Sequence, residues 1–86
     1  MEQLASITIL TLNRQQVSRD LNDSLTINGH LIMSRLGVNI QKNCLENCPG
    51  MIILAIKSSK ENISNFIAGL EKIEGLKIKT CVFDNE

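Results

Sequence analysis

Aromatic residues are nearly absent from this chain of 86 residues: Phe66 and Phe83 are the whole complement, with no Trp and no Tyr. Stacking on bases or sugar rings has almost nothing to work with. An excess of one charge is missing too, since nine Lys and Arg balance nine Asp and Glu. No net field draws the chain toward nucleic acid or an anionic membrane. Direct nucleic-acid binding by this chain alone is therefore not expected. The longest apolar run, Met51–Ile56, is too short to cross a bilayer. The first residues carry Glu2, and their apolar stretch is broken by Ser6, Thr8 and Thr11, which does not read as a signal peptide. With no membrane segment and an odd number of cysteines, three, a reducing cytoplasmic setting is expected rather than a disulfide framework. A nucleophile paired with a base is also missing, because His30 is the only histidine and has no Ser or Cys at a recognisable spacing. No catalytic residue is assigned, and the chain is not expected to be an enzyme.

What is present is aliphatic: twelve Ile and eleven Leu. A chain of this length forms one domain, 1–86, that buries only about two-thirds of its unfolded surface. Met51–Lys57 follows the Pro49-Gly50 turn and reads as a central strand buried on both faces. Residues 4–12 form a first strand with Ile7 and Ile9 on one face. Beyond Ile9 the alternation slips, so either a bulge re-aims the strand or both its faces are covered. Asn13, with Gln16 three residues on, starts a helix over 14–28 whose stripe is Val17, Leu21 and Leu25. Asn28-Gly29 supplies a left-handed stop.

Residues 30–40 read as a second strand, with Ile32, Leu36, Val38 and Ile40 on one face, Leu31, Met33 and Arg35 on the other, and Gly37 as a bulge or close-approach point. Ser58 and Ser59 open a helix over 60–73 with the stripe Ile63, Phe66, Ile67, Leu70 and Ile73, ended by Gly75. Residues 76–83 alternate, with Leu76, Ile78, Thr80 and Val82 inward and Lys77, Lys79, Cys81 and Phe83 outward.

The order is β-α-β-β-α-β. Right-handed crossovers make it an α+β, ferredoxin-like (ACT-like) fold: a four-stranded antiparallel sheet with two helices on one face. The other face then receives Leu10, Leu12, Leu31, Met33 and Phe83, too many apolar groups to be left in water. A homo-oligomer that buries this face or an edge strand is the expectation.

Arg35-Leu36-Gly37, the run Met51–Lys57, and the closing stretch Leu70 to Thr80 (LEKIEGLKIKT) carry a further likeness. From about Ser6 to Val82 the chain resembles small ACT-like proteins proposed as regulators of the iron-only hydrogenase system. Those are in turn similar to the C-terminal, metal-sensing domain of nickel-responsive repressors. The resemblance implies an oligomeric transcriptional regulator or ligand-sensing module of anaerobic hydrogen metabolism, without catalysis. The chain departs from that pattern in an enlarged second hairpin holding Cys44 and Cys48, and in having Val38-Asn39 after Gly37 where a proline is usual.

Candidate sites follow from the residues and from that likeness. ACT-like domains often bind an amino acid at the first strand-to-helix junction, here Asn13-Arg14, where Arg14 could hold a carboxylate. An ordinary capped helix start accounts for the same residues. Arg35 could extend such a site across an interface, although a salt bridge is the commoner use. Cys44 and Cys48, spaced C-x3-C, could share a soft metal or form a redox pair; a closed site would also draw on His30, Glu46 or Cys81. Inert, packed thiols are the plainer reading. One histidine cannot build the imidazole-rich nickel site of the repressors. Lys72, Lys77 and Lys79 read as a solvated strand face guarding an edge. No cofactor is assigned beyond that possible soft metal. The partners expected are a second copy and a small-molecule ligand or another protein, and a metal or thiol-redox module on the Cys44/Cys48 hairpin is the alternative function. An acylphosphatase-like activity is not expected, because LTLNRQQV lacks the glycine-rich anion cradle.

Overall fold

The computed structural model describes residues 2–11, 14–40 and 49–83. The chain runs β1 (Glu2–Thr11), α1 (Arg14–Ile27), β2 (Ile32–Asn39), β3 (Gly50–Ser59), α2 (Lys60–Glu71) and β4 (Leu76–Phe83). The strands form one antiparallel sheet in the order β2-β3-β1-β4. This is the split βαβ arrangement of the ferredoxin-like fold, as the element pattern implied.

One face of the sheet carries the core. Ala5, Ile7 and Ile9 of β1 meet Leu54 and Ile56 of β3, and Leu21 and Leu25 of α1 and Ile63, Phe66 and Leu70 of α2 close over them. Both helices therefore lie on the side of the odd β1 and even β3 positions. The register of β1 against β3 runs unbroken from Glu2↔Ser59 to Thr11↔Gly50, so the slip in the β1 pattern is not a bulge. The odd, core-facing position after Ile9 goes instead to Thr11, which is buried and donates its hydroxyl to the Gly50 carbonyl at 3.4 Å. A β-branched polar residue is tolerated there because its one donor is satisfied.

Helix ends differ in their chemistry. Ser59 caps α2, its Oγ accepting the Asn62 amide at 3.1 Å, while the Asn62 side chain donates to Ser58 Oγ at 3.0 Å. Beyond α2, Gly75 takes φ 88°, a left-handed conformation that turns the chain into β4 at little cost for glycine. The end of α1 departs from expectation. Asn28 has φ −99° and is not left-handed; its side chain and backbone N–H both donate to the Ser24 carbonyl, at 2.8 and 3.1 Å. The chain then enters a 3₁₀ turn, Gly29–Leu31, before β2 begins.

That turn corrects the reading of the second strand. Leu31, expected on the open side, is only 6% exposed and belongs to the core. A bulge does occur in β2, but at Met33 and not at Gly37: Ile32 pairs with Ile56, Ser34 with Ala55, and Gly37 sits in regular register opposite Ile52. One extra residue inverts the alternation. Ile32 packs against the core, whereas Leu36 and Val38, two and four residues beyond Ser34, point to the other face.

Because Leu54 and Ser59 act in different ways, their substitutions should separate. Leu54→Ala, at a position closed to water, lowers the urea unfolding free energy by about 3 kcal/mol. Ser59→Ala, which strips one cap, lowers it by about 1 kcal/mol.

Candidate functional site

The face of the sheet away from the helices is the largest unexplained surface of the described residues. Cross-strand pairing sets its rows, because directly opposed residues share a face. Val38, Met51, Leu10 and Lys77 form one row across β2, β3, β1 and β4. Leu36, Ile53, Thr8 and Lys79 form the next, and Ser34, Ala55, Ser6 and Cys81 the third. Lys57, Leu4 and Phe83 lie below.

These rows are not uniform. Toward β2 and β3 the face is aliphatic and most open at its edge: Leu36 of β2 is 57% exposed, while Met51, Ile53 and Leu10 on the inner strands are half-buried. Toward β4 it is basic, with Lys77 and Lys79 exposed along the edge strand. Among the described residues of this face the one carboxylate is Glu2, at the far end of β1. The central strand is thus buried on its helix side and only half-covered on the other, where the sequence suggested burial on both.

The structure distributes the sequence-derived candidates widely. Arg35 lies on β2 opposite Leu54, on the helix side of the sheet, and its guanidinium donates to Asn22 Oδ1 of α1 at 3.1 Å. The bond ties the exposed edge strand to α1 through a neutral partner. Arg14 is the first residue of α1, and Asn13, Cys44 and Cys48 lie outside the described residues. His30 is exposed in the 3₁₀ turn, and Cys81 is a free, exposed thiol on the open face. Among the described residues no three His, Cys, Asp or Glu side chains gather as a metal-binding group. No helix of the described residues is long and apolar enough to cross a membrane. The residues that sequence reasoning placed on the wrong side, Leu36 and Val38, prove to be central to the exposed patch; only the Met33 bulge could have revealed them.

A βαββαβ domain whose two helices cover one face of a four-stranded antiparallel sheet belongs to the ferredoxin-like class of α+β folds. The chain belongs to the TM1266-like family, described as "Iron-only hydrogenase system regulator, putative", whose model matches residues 3–80. The fold is that of protein TM1266 from Thermotoga maritima, with 24% identity over 98% of this chain and 100% of that one, at a TM-score of 0.84. An unknown protein from Galdieria sulphuraria aligns over 100% of this chain and 48% of its own, at 14% identity and a TM-score of 0.68. The nitrogen regulatory PII-like protein CPII from Thiomonas intermedia K12, bound to ADP, AMP and bicarbonate, aligns over 100% and 99% of the two chains, at 15% identity and a TM-score of 0.56. No protein of curated function matches the sequence.

The exposed thiol offers a direct check on the assignment of faces. In a Cys44→Ser/Cys48→Ser background, Cys81 should react fully with Ellman's reagent in native buffer, matching the total in urea. A thiol reactive only after unfolding would contradict the exposed position of Cys81 on β4.

Proposed function

We propose that this chain is a non-catalytic regulatory module of the iron-only hydrogenase system that acts in the cytoplasm as a homo-oligomer. It responds to a small ligand or docks to a protein partner, and through either event contributes to transcriptional control without itself contacting DNA. The observation that carries this reading is the family match over residues 3–80. Supporting it are the apolar sheet face, which favours association, and the even charge balance, which gives nucleic acid no purchase. The ligand site lies at the first strand-to-helix junction, around Asn13 and Arg14, where helix N-terminal amides would receive an anion and Arg14 its carboxylate. Arg35, exposed on the helix side of β2 and bonded to Asn22, is the residue that would extend such a site across an interface.

Protein purified without oxygen tests this directly. Thermal unfolding is followed with amino acids, and with ADP, AMP and bicarbonate, the compounds bound to the PII-like protein of the same fold. A true ligand at 100 times its Kd stabilises the folded chain by about 2.7 kcal/mol, a rise in Tm of several degrees. Arg14→Ala should abolish that rise and leave the Tm of the unliganded protein nearly unchanged. A flat response to every compound would leave protein docking as the function. Stoichiometric metal that is lost in a Cys48→Ser variant would instead transfer the function to the Cys44/Cys48 hairpin.

A further inference from the structure

The open face is divided into an aliphatic part and a basic part, and that division restricts how two copies can meet. We infer that the chain pairs with itself face to face about a two-fold axis running along β3, so that β3 lies over its own copy, β2 over the partner's β1, and β4 overhangs on each side. This mode rests on the homo-oligomer reading above and specifies its geometry.

The cross-strand register carries the argument. With β3 on the axis, Met51 meets Met51 and Ile53 meets Ile53, while Val38 on β2 comes over Leu10 on β1. The patch is self-complementary, as an isologous interface requires. The row below offers only small side chains, Ser34, Ala55 and Ser6, which let the two sheets approach. Other alignments fare worse. Centring the axis between β3 and β1 sets Lys77 and Lys79 against Val38 and Leu36 of the copy, burying ammonium groups on aliphatic surface. An axis across the strands at the Ile53 row stacks β4 on its own copy and sets Lys79 against Lys79. Along β3, the lysines of β4 stay at the rim in water. The two Lys57 residues, some 13 Å along the strand from Ile53, are swung apart by the roughly 30° crossing of aligned sheets.

Area is adequate for this partner. Three strands of about eight residues, ~4.8 Å apart and rising ~3.3 Å per residue, cover about 400 Å² in plan. Side-chain relief brings the accessible surface buried across both copies to roughly 1,000 Å², the lower bound for a specific pair.

Thiol cross-linking and sedimentation on the full chain test the mode. In a background with all three cysteines changed to Ser, Ile53→Cys and Met51→Cys should each link to their own copy through a bismaleimide matched to the ~10 Å spacing of packed sheets. Lys79→Cys, about 20 Å from its symmetry mate by the same spacings, should not link. By sedimentation equilibrium, Ile53→Glu should weaken association about 100-fold or more, whereas Lys79→Glu changes it less than about threefold. An assembly that Lys79→Glu dissolves and Ile53→Glu spares would overturn this geometry and leave the oligomer reading intact. A chain that stays monomeric at hundreds of micromolar would remove both. Should Ile53→Glu fail to fold by circular dichroism, Leu36→Asp on exposed β2 serves in its place, with the same expected loss.

Discussion

The hydrogen-bonded pairing of β3 between β2 and β1 governs which side chains this molecule hides. A strand tied on both edges cannot rotate about its axis, so its even positions are committed to one face and its odd positions to the other. Leu54 and Ile56 are driven under the helices, and Met51, Ile53 and Ala55 are held outward. The same pairing commits Ile7 and Ile9 of β1 to the core and passes the constraint on to β4, where Ile78 lies level with Ile9. Toward the end of β4, an edge strand, Thr80 and Val82 share the core-side face yet remain exposed.

A single irregularity modifies this lattice. The Met33 bulge allows Ile32 to reach the core beside Ile56 and still delivers Leu36 and Val38 to the open face. Without it, one alternation would send all three residues to the same side. The 3₁₀ turn just upstream does related work by tucking Leu31 into the core before the strand begins. Together they give an edge strand whose outer half is aliphatic, and edge strands of that kind invite a partner unless something covers them. Arg35 and Asn22 brace the same strand against α1, so its position and the helix layer are mechanically linked.

The same pairing fixes where the ends of the sheet lie relative to its open face. The β1-to-α1 and β3-to-α2 junctions fall at opposite ends of the sheet, because Thr11 pairs with Gly50 and Ser59 with Glu2. The open face, with its aliphatic part and basic margin, is suited to assembly.

Much of this was legible in the residue order. Alternation marked Ile7, Ile9 and the β4 residues Leu76 and Ile78; the 3.6-residue stripe marked Ile63, Phe66 and Leu70; and the β-α-β-β-α-β succession left one compact topology. These are local patterns whose meaning does not depend on distant partners. The candidate ligands were less accessible, because Asn13, Cys44 and Cys48 lie outside the described residues and Arg35 turned out to bond a neutral asparagine thirteen positions away. Which residues crown the open face was decided by tertiary structure alone. The sequence determines that β2 alternates, but its phase relative to the core depends on whether one residue is left unpaired against β3. That choice is settled by the packing gained from Ile32 and Leu31 together, across a contact no sequence window contains.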